Sequence, residues 1–352
     1  GACRRRPAAI DEVTLGNVLM AGQGQAPARQ ATLGAGLPRS VPATTVNKMC
    51  GSGLKAMMLA HDALRAGNGR LHVAGGMESM SRAPHLLPGL RSGRRYGHAE
   101  VLDHMAVDGL EDVYEPRTPM GVFAERTAQR YGFSRETQDA YAIESLRRAR
   151  AASDSGAFAW ELEPVVIAEG ESPIDRDETP DRARPEKIPQ LRPAFAVDGT
   201  VTAASSASIS DGAAATVLST AGHAASLGLH PLARIVAHAS HARAPEEFTL
   251  APIQAIAKVL DRAGWNAADV DLWEINEAFA VVSLAAIREH RLDTARVNVH
   301  GGACALGHPI GASGTRLVAT LLGALRRHDA QRGVVTLCIG GGEAVAMAIE
   351  RL

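Results

Sequence analysis

Gly307-His308-Pro309-Ile310-Gly311-Ala312-Ser313-Gly314 is a glycine-rich turn that runs into a helix, and the strand that follows ends in Gly340-Gly341-Gly342. The same order occurs earlier: a strand ends at Asn17, Gly51-Ser52-Gly53 opens a helix, and the next strand runs into Gly75-Gly76. In the later copy the leading strand ends at Asn276. Matching order at similar spacing reads as an internal repeat, so the fold is two like halves. Glycine-rich turns also coincide by chance, and that alternative stays open here. Short β-branched runs at 13–19, 71–74, 234–238 and 334–339 alternate with longer amphipathic stretches, the signature of an α/β fold with largely parallel sheets. One helix has both ends marked, with Pro252 opening it and Gly264 closing it.

The repeat also predicts a gap. Ahead of its Asn276 strand the second half has a strand at 234–238 and a helix at 252–263, whereas the first half has only a short stretch before its Asn17 strand. We therefore expect a strand and a helix to be missing at the N-terminus, a unit that would lie inside the sheet, buried on both faces. The opening Gly-Ala-Cys-Arg-Arg-Arg-Pro reads as a cut end rather than a targeting segment. The expected division is 1–78 plus 210–229 for the first half, 79–209 for an inserted lobe, and 230–352 for the second half. Within the lobe Ser134 and Glu136 start a helix through Tyr141 and Leu146, and 169–193 is a charged, proline-rich loop.

At 46% hydrophobic and 21% charged residues the chain has the balance of an ordinary globular protein, and 4% aromatics require an aliphatic core. The 37 basic and 38 acidic residues nearly cancel, which gives no bulk attraction to nucleic acid or to an anionic membrane. Apolar runs stop well short of the roughly 18 residues of a spanning helix. Cys3, Cys50, Cys304 and Cys338 form no Cys-x-x-Cys pair, and a reducing, cytoplasmic setting is expected.

Four segments carry reactive groups. Val46-Asn47-Lys48-Met49-Cys50-Gly51-Ser52-Gly53 sets a cysteine at the positive end of a helix whose Leu54, Met57, Met58 and Leu64 face inward; unpaired amides there favour thiolate, although a packing cysteine would look the same. His308, on its constrained loop, has the chemistry to take a proton from a thiol or to donate to an oxyanion. The alternatives are a structural histidine or a phosphate loop, and a Walker loop is excluded because no Gly-Lys-Ser or Gly-Lys-Thr follows. Cys338 ends an apolar strand at Leu337-Cys338-Ile339-Gly340-Gly341-Gly342, either at a ligand-binding sheet edge or as inert core. Asn276 and Glu277 interrupt an apolar strand in Trp273-Glu274-Ile275-Asn276-Glu277-Ala278-Phe279. Asn276 is suited to hold a water or a thioester oxygen, or simply to bond the next turn.

Taken together, Cys-Gly-Ser-Gly, Asn-Glu-Ala-Phe, Gly-His-Pro-Ile-Gly-Ala-Ser-Gly and Cys-Ile-Gly-Gly-Gly, in this order and over nearly the whole chain, resemble the thiolase family. The resemblance implies two mixed five-stranded, doubly wound halves in a five-layered α-β-α-β-α sandwich, an inserted loop domain carrying most coenzyme A contacts, and a homodimer or homotetramer. It implies acetyl-CoA C-acetyltransferase activity, two acetyl-CoA giving acetoacetyl-CoA and CoA through an acyl-cysteine. Cys50 would be the nucleophile, His308 its activator and an oxyanion donor, Cys338 the general acid and base, Asn276 the holder of an oxyanion water, and Gly340 a backbone donor. The family pattern points to Leu110, Met120, Arg182, Phe195, Ala203, Ala278 and Phe279 for coenzyme A, and Phe248 is expected near the acyl group. No metal and no cofactor beyond the thioester substrates is expected.

Departures from the pattern are Pro119, where many biosynthetic thiolases have histidine, and Ala207, where a serine usually touches coenzyme A; Ser206 and Ser208 are the candidate substitutes. Competing readings are a 3-ketoacyl-CoA thiolase of broader chain length and a catalytically impaired coenzyme A-binding protein. A decarboxylating condensing enzyme would need a second histidine at 276 or 338.

Overall fold

The computed structural model describes residues 7–168 and 170–352; the start of the chain with Cys3, and Glu169 at the head of the charged loop, lie outside the described residues. The first half runs β1 (Glu12–Gly16), α1 (Pro27–Gly34), β2 (Ala43–Val46), α2 (Ser52–Arg65) and β3 (Leu71–Ser79). An inserted stretch with α3 (Met120–Tyr131) and α4 (Arg135–Asp154) follows before the chain returns as β4 (Asp211–Ser219). Ser134 caps α4, its hydroxyl accepting from the Thr137 N–H at 3.2 Å. The second half is β5 (Ala233–Ala242), α5 (Ala251–Ala263), β6 (Leu272–Ile275), α6 (Ala280–His290), α7 (Ser313–Arg327), β7 (Arg332–Ile339) and β8 (Glu343–Arg351). Pro252 stands in the first turn of α5, and Gly264 ends that helix at φ 66°, a left-handed conformation that glycine adopts without penalty.

Each half has a four-stranded mixed sheet. The first is ordered β2-β1-β3-β4, with β1 parallel to β2 and β3, and β4 antiparallel to β3. The second is ordered β6-β7-β8-β5, with β6 parallel to β7 and the other two pairs antiparallel. Helices α2 and α7 lie between the sheets, where Leu54, Met57 and Met58 interlock with Leu317, Leu321 and Leu325 and with Leu337 and Val345 of the second sheet. Burying one such side chain is worth about 1.5–3 kcal/mol, so this central layer holds the halves together. On the outer faces α1 covers β1 through Ala28, Val13 and Leu15, and α5 covers the second sheet through Ile256, Val259, Val334 and Ala346.

The expected N-terminal gap is overturned. A strand and a helix are in place there, as β1 and α1, and the strand buried inside the sheet is β1 itself, hydrogen-bonded on both sides. Nor does the unit used to infer the gap lie inside its sheet, because β5 is the edge strand. Among the described residues each sheet has four strands where five were expected. α1 escaped the sequence reading because it buries only Pro27, Ala28 and Thr32 and shows no apolar stripe. Among the described residues no helix is long and apolar enough to cross a membrane.

Candidate active site

Gly53 and Gly314 bring the starts of α2 and α7 together. A Cβ on Gly314 would lie 2.3 Å from the Leu54 nitrogen, and one on Gly53 would lie 2.9 Å from Thr315 Oγ1. Two helix N-termini therefore approach the same region, one carrying Cys50 and the other following His308. Met49, just before Cys50, has φ 46°, an uncommon conformation for a residue with a side chain, and the Asn47 carboxamide accepts its N–H at 3.0 Å. Ser52 Oγ accepts the Lys48 N–H at 2.8 Å and donates to Met49 O at 2.6 Å, so the turn that presents Cys50 is bonded on both sides.

Cys50 is partly buried among Val18, Leu19, Met80, Ile310 and Leu110. Burial pushes its thiol up to about 11, opposed by hydrogen bonds to the sulfur from the N–H groups of Gly340 and of Cys50 itself. The expectation that the helix end alone would favour thiolate is not met, because desolvation outweighs the amides. Cys338 is fully buried in β7, and burial together with the neighbouring Cys50 holds its thiol well above the ordinary range. Cys50, Cys304 and Cys338 are free thiols.

His308 is buried, and its backbone N–H donates to Ser208 O at 3.2 Å. Its Nδ1 lies 2.5 Å from Ser313 Oγ, which in turn lies 2.9 Å from Pro309 O. With the hydroxyl proton on the carbonyl, Nδ1–H donates to Oγ, and the Nε2 lone pair is left facing Asn276 Nδ2 at 3.4 Å. Burial, and then the charge of Arg316, lowers the imidazole to about 3, so the ring is neutral at pH 7. The side-chain oxygen of Asn276 is buried with no partner among the described residues, while its backbone N–H is spent on Thr336 O. Such an orphan acceptor is what a bound water or substrate group would satisfy.

Of the residues expected at substrate, Leu110 packs beside Cys50, and Met120, Phe195, Phe248, Ala278 and Phe279 share one cluster with Cys338. Phe279 meets Phe195 and Phe248 edge-on, with ring centres 5.8 and 6.5 Å apart. Ala207 donates its N–H to Ala278 O at 3.0 Å, which ties the altered Ser-Ser-Ala stretch to this wall. The Ser206 hydroxyl donates to Thr202 O at 2.7 Å, which leaves it only as an acceptor for a ligand; Ser208 lies beside Gly307. Ala203 is exposed, and Arg182 is exposed and paired with Glu178 at 2.9 Å.

Two buried carboxylates hold these groups in place: Glu78, which the sequence reading did not single out, and Glu277, noted there only as a break in a strand. Glu78 is buried at the end of β3, where it accepts the N–H groups of Val18, Leu19 and Gly311. Glu277 accepts from Tyr141, Ser145, Asn298 and the Cys304 N–H, tying the inserted stretch to the second half. A carboxylate at the end of an otherwise apolar strand is the signal that marks Glu78.

Residues 5–222 match the family described as "Thiolase, N-terminal domain", and residues 229–351 match "Thiolase, C-terminal domain". The chain is 49% identical to an acetyl-CoA acetyltransferase of Cupriavidus necator, over 98% of this chain and 89% of that one. It is 50% identical to acetyl-CoA acetyltransferase 1 of Arabidopsis thaliana, over 98% and 84%. A crystal structure of a thiolase from Ascaris suum in complex with coenzyme A superposes with a TM-score of 0.93 at 44% identity, covering 98% of this chain and 89% of that one. A duplicated α/β frame, a close superposition on a thiolase structure and matches to both thiolase domains agree: the chain belongs to the thiolase family.

Proposed function

We infer that this chain is an acetyl-CoA C-acetyltransferase, joining two acetyl-CoA into acetoacetyl-CoA and CoA, and running in reverse as a thiolase. The observation that carries the reading is the placement of Cys50 against Ile310 of the His308 loop, with the backbone amides of Gly340, from the other half, and of Cys50 itself acting to lower its thiol. Two backbone donors that converge there are suited to an oxyanion formed on a carbonyl bonded to that sulfur. Relatives at 49–50% identity that bear the acetyltransferase name support the substrate.

In the first half-reaction the Cys50 proton passes to His308 Nε2 and the sulfur attacks the thioester carbonyl. The tetrahedral oxyanion rests on the amides of Cys50 and Gly340. As the carbon–sulfur bond to CoA breaks, the departing thiolate takes the proton of Cys338. Acetyl-Cys50, imidazolium and a Cys338 thiolate remain. That thiolate then removes the α-proton of a second acetyl-CoA, and the enolate oxygen is met by His308 and a water held by Asn276. The enolate carbon attacks the acetyl group, Cys50 leaves and regains its proton from His308, and both thiols are restored. The raised Cys338 thiol suits this cycle, because it begins and ends protonated.

Leu110, Met120, Phe195, Ala203, Ala207, Ala278 and Phe279 are proposed to contact the coenzyme, and Arg182 its nucleotide phosphates at the cost of the Glu178 pair. Residues 79–209 would form the loop domain between halves 1–78 plus 210–229 and 230–352. A cytoplasmic homodimer or homotetramer is the setting proposed, and the three free thiols are in keeping with a reducing compartment. Phe248, 3% exposed and wedged edge-on between Phe123 and Phe279, leaves little width for a long acyl chain. Thiolysis of acetoacetyl-CoA should therefore exceed that of 3-ketohexadecanoyl-CoA in kcat/KM by at least about 100-fold. Equal or better use of the long chain would assign the protein to the broader degradative class instead.

A further inference from the structure

His61 and Asp62 stand near the C-terminal end of α2, in the central layer, and His238 stands in the middle of β5, the edge strand of the second sheet. Asp62 Oδ1 lies 2.8 Å from His238 Nε2 and 3.4 Å from His61 Nδ1, and one donor atom from each of the three falls within 4.8 Å of the others. The two imidazoles meet edge to face with ring centres 5.2 Å apart, so their nitrogens converge on one carboxylate oxygen. Their side chains are 20% and 14% exposed, against 56% for Asp62, which leaves the open side of the cluster toward solvent. None of the three belongs to the site around Cys50.

We propose that His61, Asp62 and His238 form a binding site for a divalent transition-metal ion of the zinc type, clamping the central helix of the first half to the edge strand of the second. Two imidazoles and one carboxylate are a ligand set that such ions take, with a fourth position left to water. Ligand atoms at about 2.0–2.1 Å from a tetrahedral ion stand roughly 3.3 Å from one another. The two separations to Asp62 bracket that value, and the third lies within 4.8 Å.

Against the ion stand Arg65, which faces His61, and Arg262, which donates to His238 O at 2.7 Å. His238 Nδ1 is buried without a partner among the described residues, and so lacks the acceptor that usually orients a metal-bound imidazole. The affinity therefore falls below that of a closed four-ligand site. Because the ligands come from both halves, occupancy opposes their separation and stabilises the fold by mass action.

The test uses untagged, chelator-treated, full-length protein. It is titrated with Co2+, followed by its visible absorption, and with Zn2+, followed by calorimetry and thermal melting. One ion per chain, tetrahedral Co2+ bands and a melting temperature that rises with Zn2+ are expected. H61A, H238A and D62N should each weaken binding by more than about 10-fold and abolish the thermal shift. D62N keeps the size of the side chain, so a loss there cannot be assigned to misfolding. The variant C50S should bind as the parent does. Absence of binding at millimolar metal, or equal affinity in all three ligand variants, would overturn the site, and loss confined to C50S would place the ion on the catalytic thiols instead.

Discussion

Ser313 decides which nitrogen of His308 is free. Its hydroxyl stands between Nδ1 and the Pro309 carbonyl, and the resulting chain leaves Nε2 as the acceptor that a thiol proton needs. The free enzyme rests as a neutral pair, with Cys50 raised to about 11 and His308 lowered to about 3, rather than as a thiolate and an imidazolium. On the proposed mechanism proton transfer awaits substrate, and the orientation of the ring sets the rate. Removing the hydroxyl in S313A should lower kcat by roughly 10- to 100-fold with KM little changed, since positioned general bases contribute about 100-fold or more. The limbs of the pH profile should move as well, because the imidazole tautomer is no longer fixed. S313T, which keeps a hydroxyl, should recover part of the rate. A melting temperature that falls while kcat and the pH profile stay unchanged would leave Ser313 with a structural role only. The sequence placed His308 on a constrained loop but gave no sign of Ser313 as its partner, because a serine at a helix start usually reads as a cap.

At the scale of elements, the site depends on how closely α2 and α7 approach. Gly314 sits against the Leu54 backbone, where a Cβ would come within 2.3 Å, nearer than any van der Waals contact allows. G314A should therefore cost at least about 1–3 kcal/mol in urea unfolding and reduce activity along with it, since the helix starts carry the loops of both Cys50 and His308. A variant as stable and active as the parent would mean that the helices separate without consequence. These elements were legible in the sequence because their signals are local. Pro252 and Gly264 mark α5, Ser134 marks α4, and the paired glycine turns mark α2 and α7. The misreading of the N-terminus came from a non-local property. Which strand sits inside a sheet depends on pairing with segments far away in the chain, as β1 pairs with both β2 and β3, and no window of sequence around residue 14 contains that information.

At the scale of the whole molecule, the proposed chemistry draws on both copies of the repeat. Cys50 comes from the first half, while Gly340, His308, Cys338 and Asn276 come from the second, and α2 and α7 hold the two sets in register. The residue types were readable because reactive groups stand out in apolar or glycine-rich surroundings. The supports were not, because Glu78 reaches Val18 and Gly311, and Glu277 reaches Ser145 and Asn298, only after folding. Cys50 is proposed to receive the acetyl group under donors drawn from both halves. Incubation with acetyl-CoA, rapid acid quench and intact-mass analysis with peptide mapping tests it most directly. One acetyl group per chain is expected, on the peptide containing Cys50, absent from C50S and slowed at least about 100-fold in H308A. An acetyl group on Cys338 or Cys304 instead, or none on correctly folded protein that still turns over acetoacetyl-CoA, would contradict it.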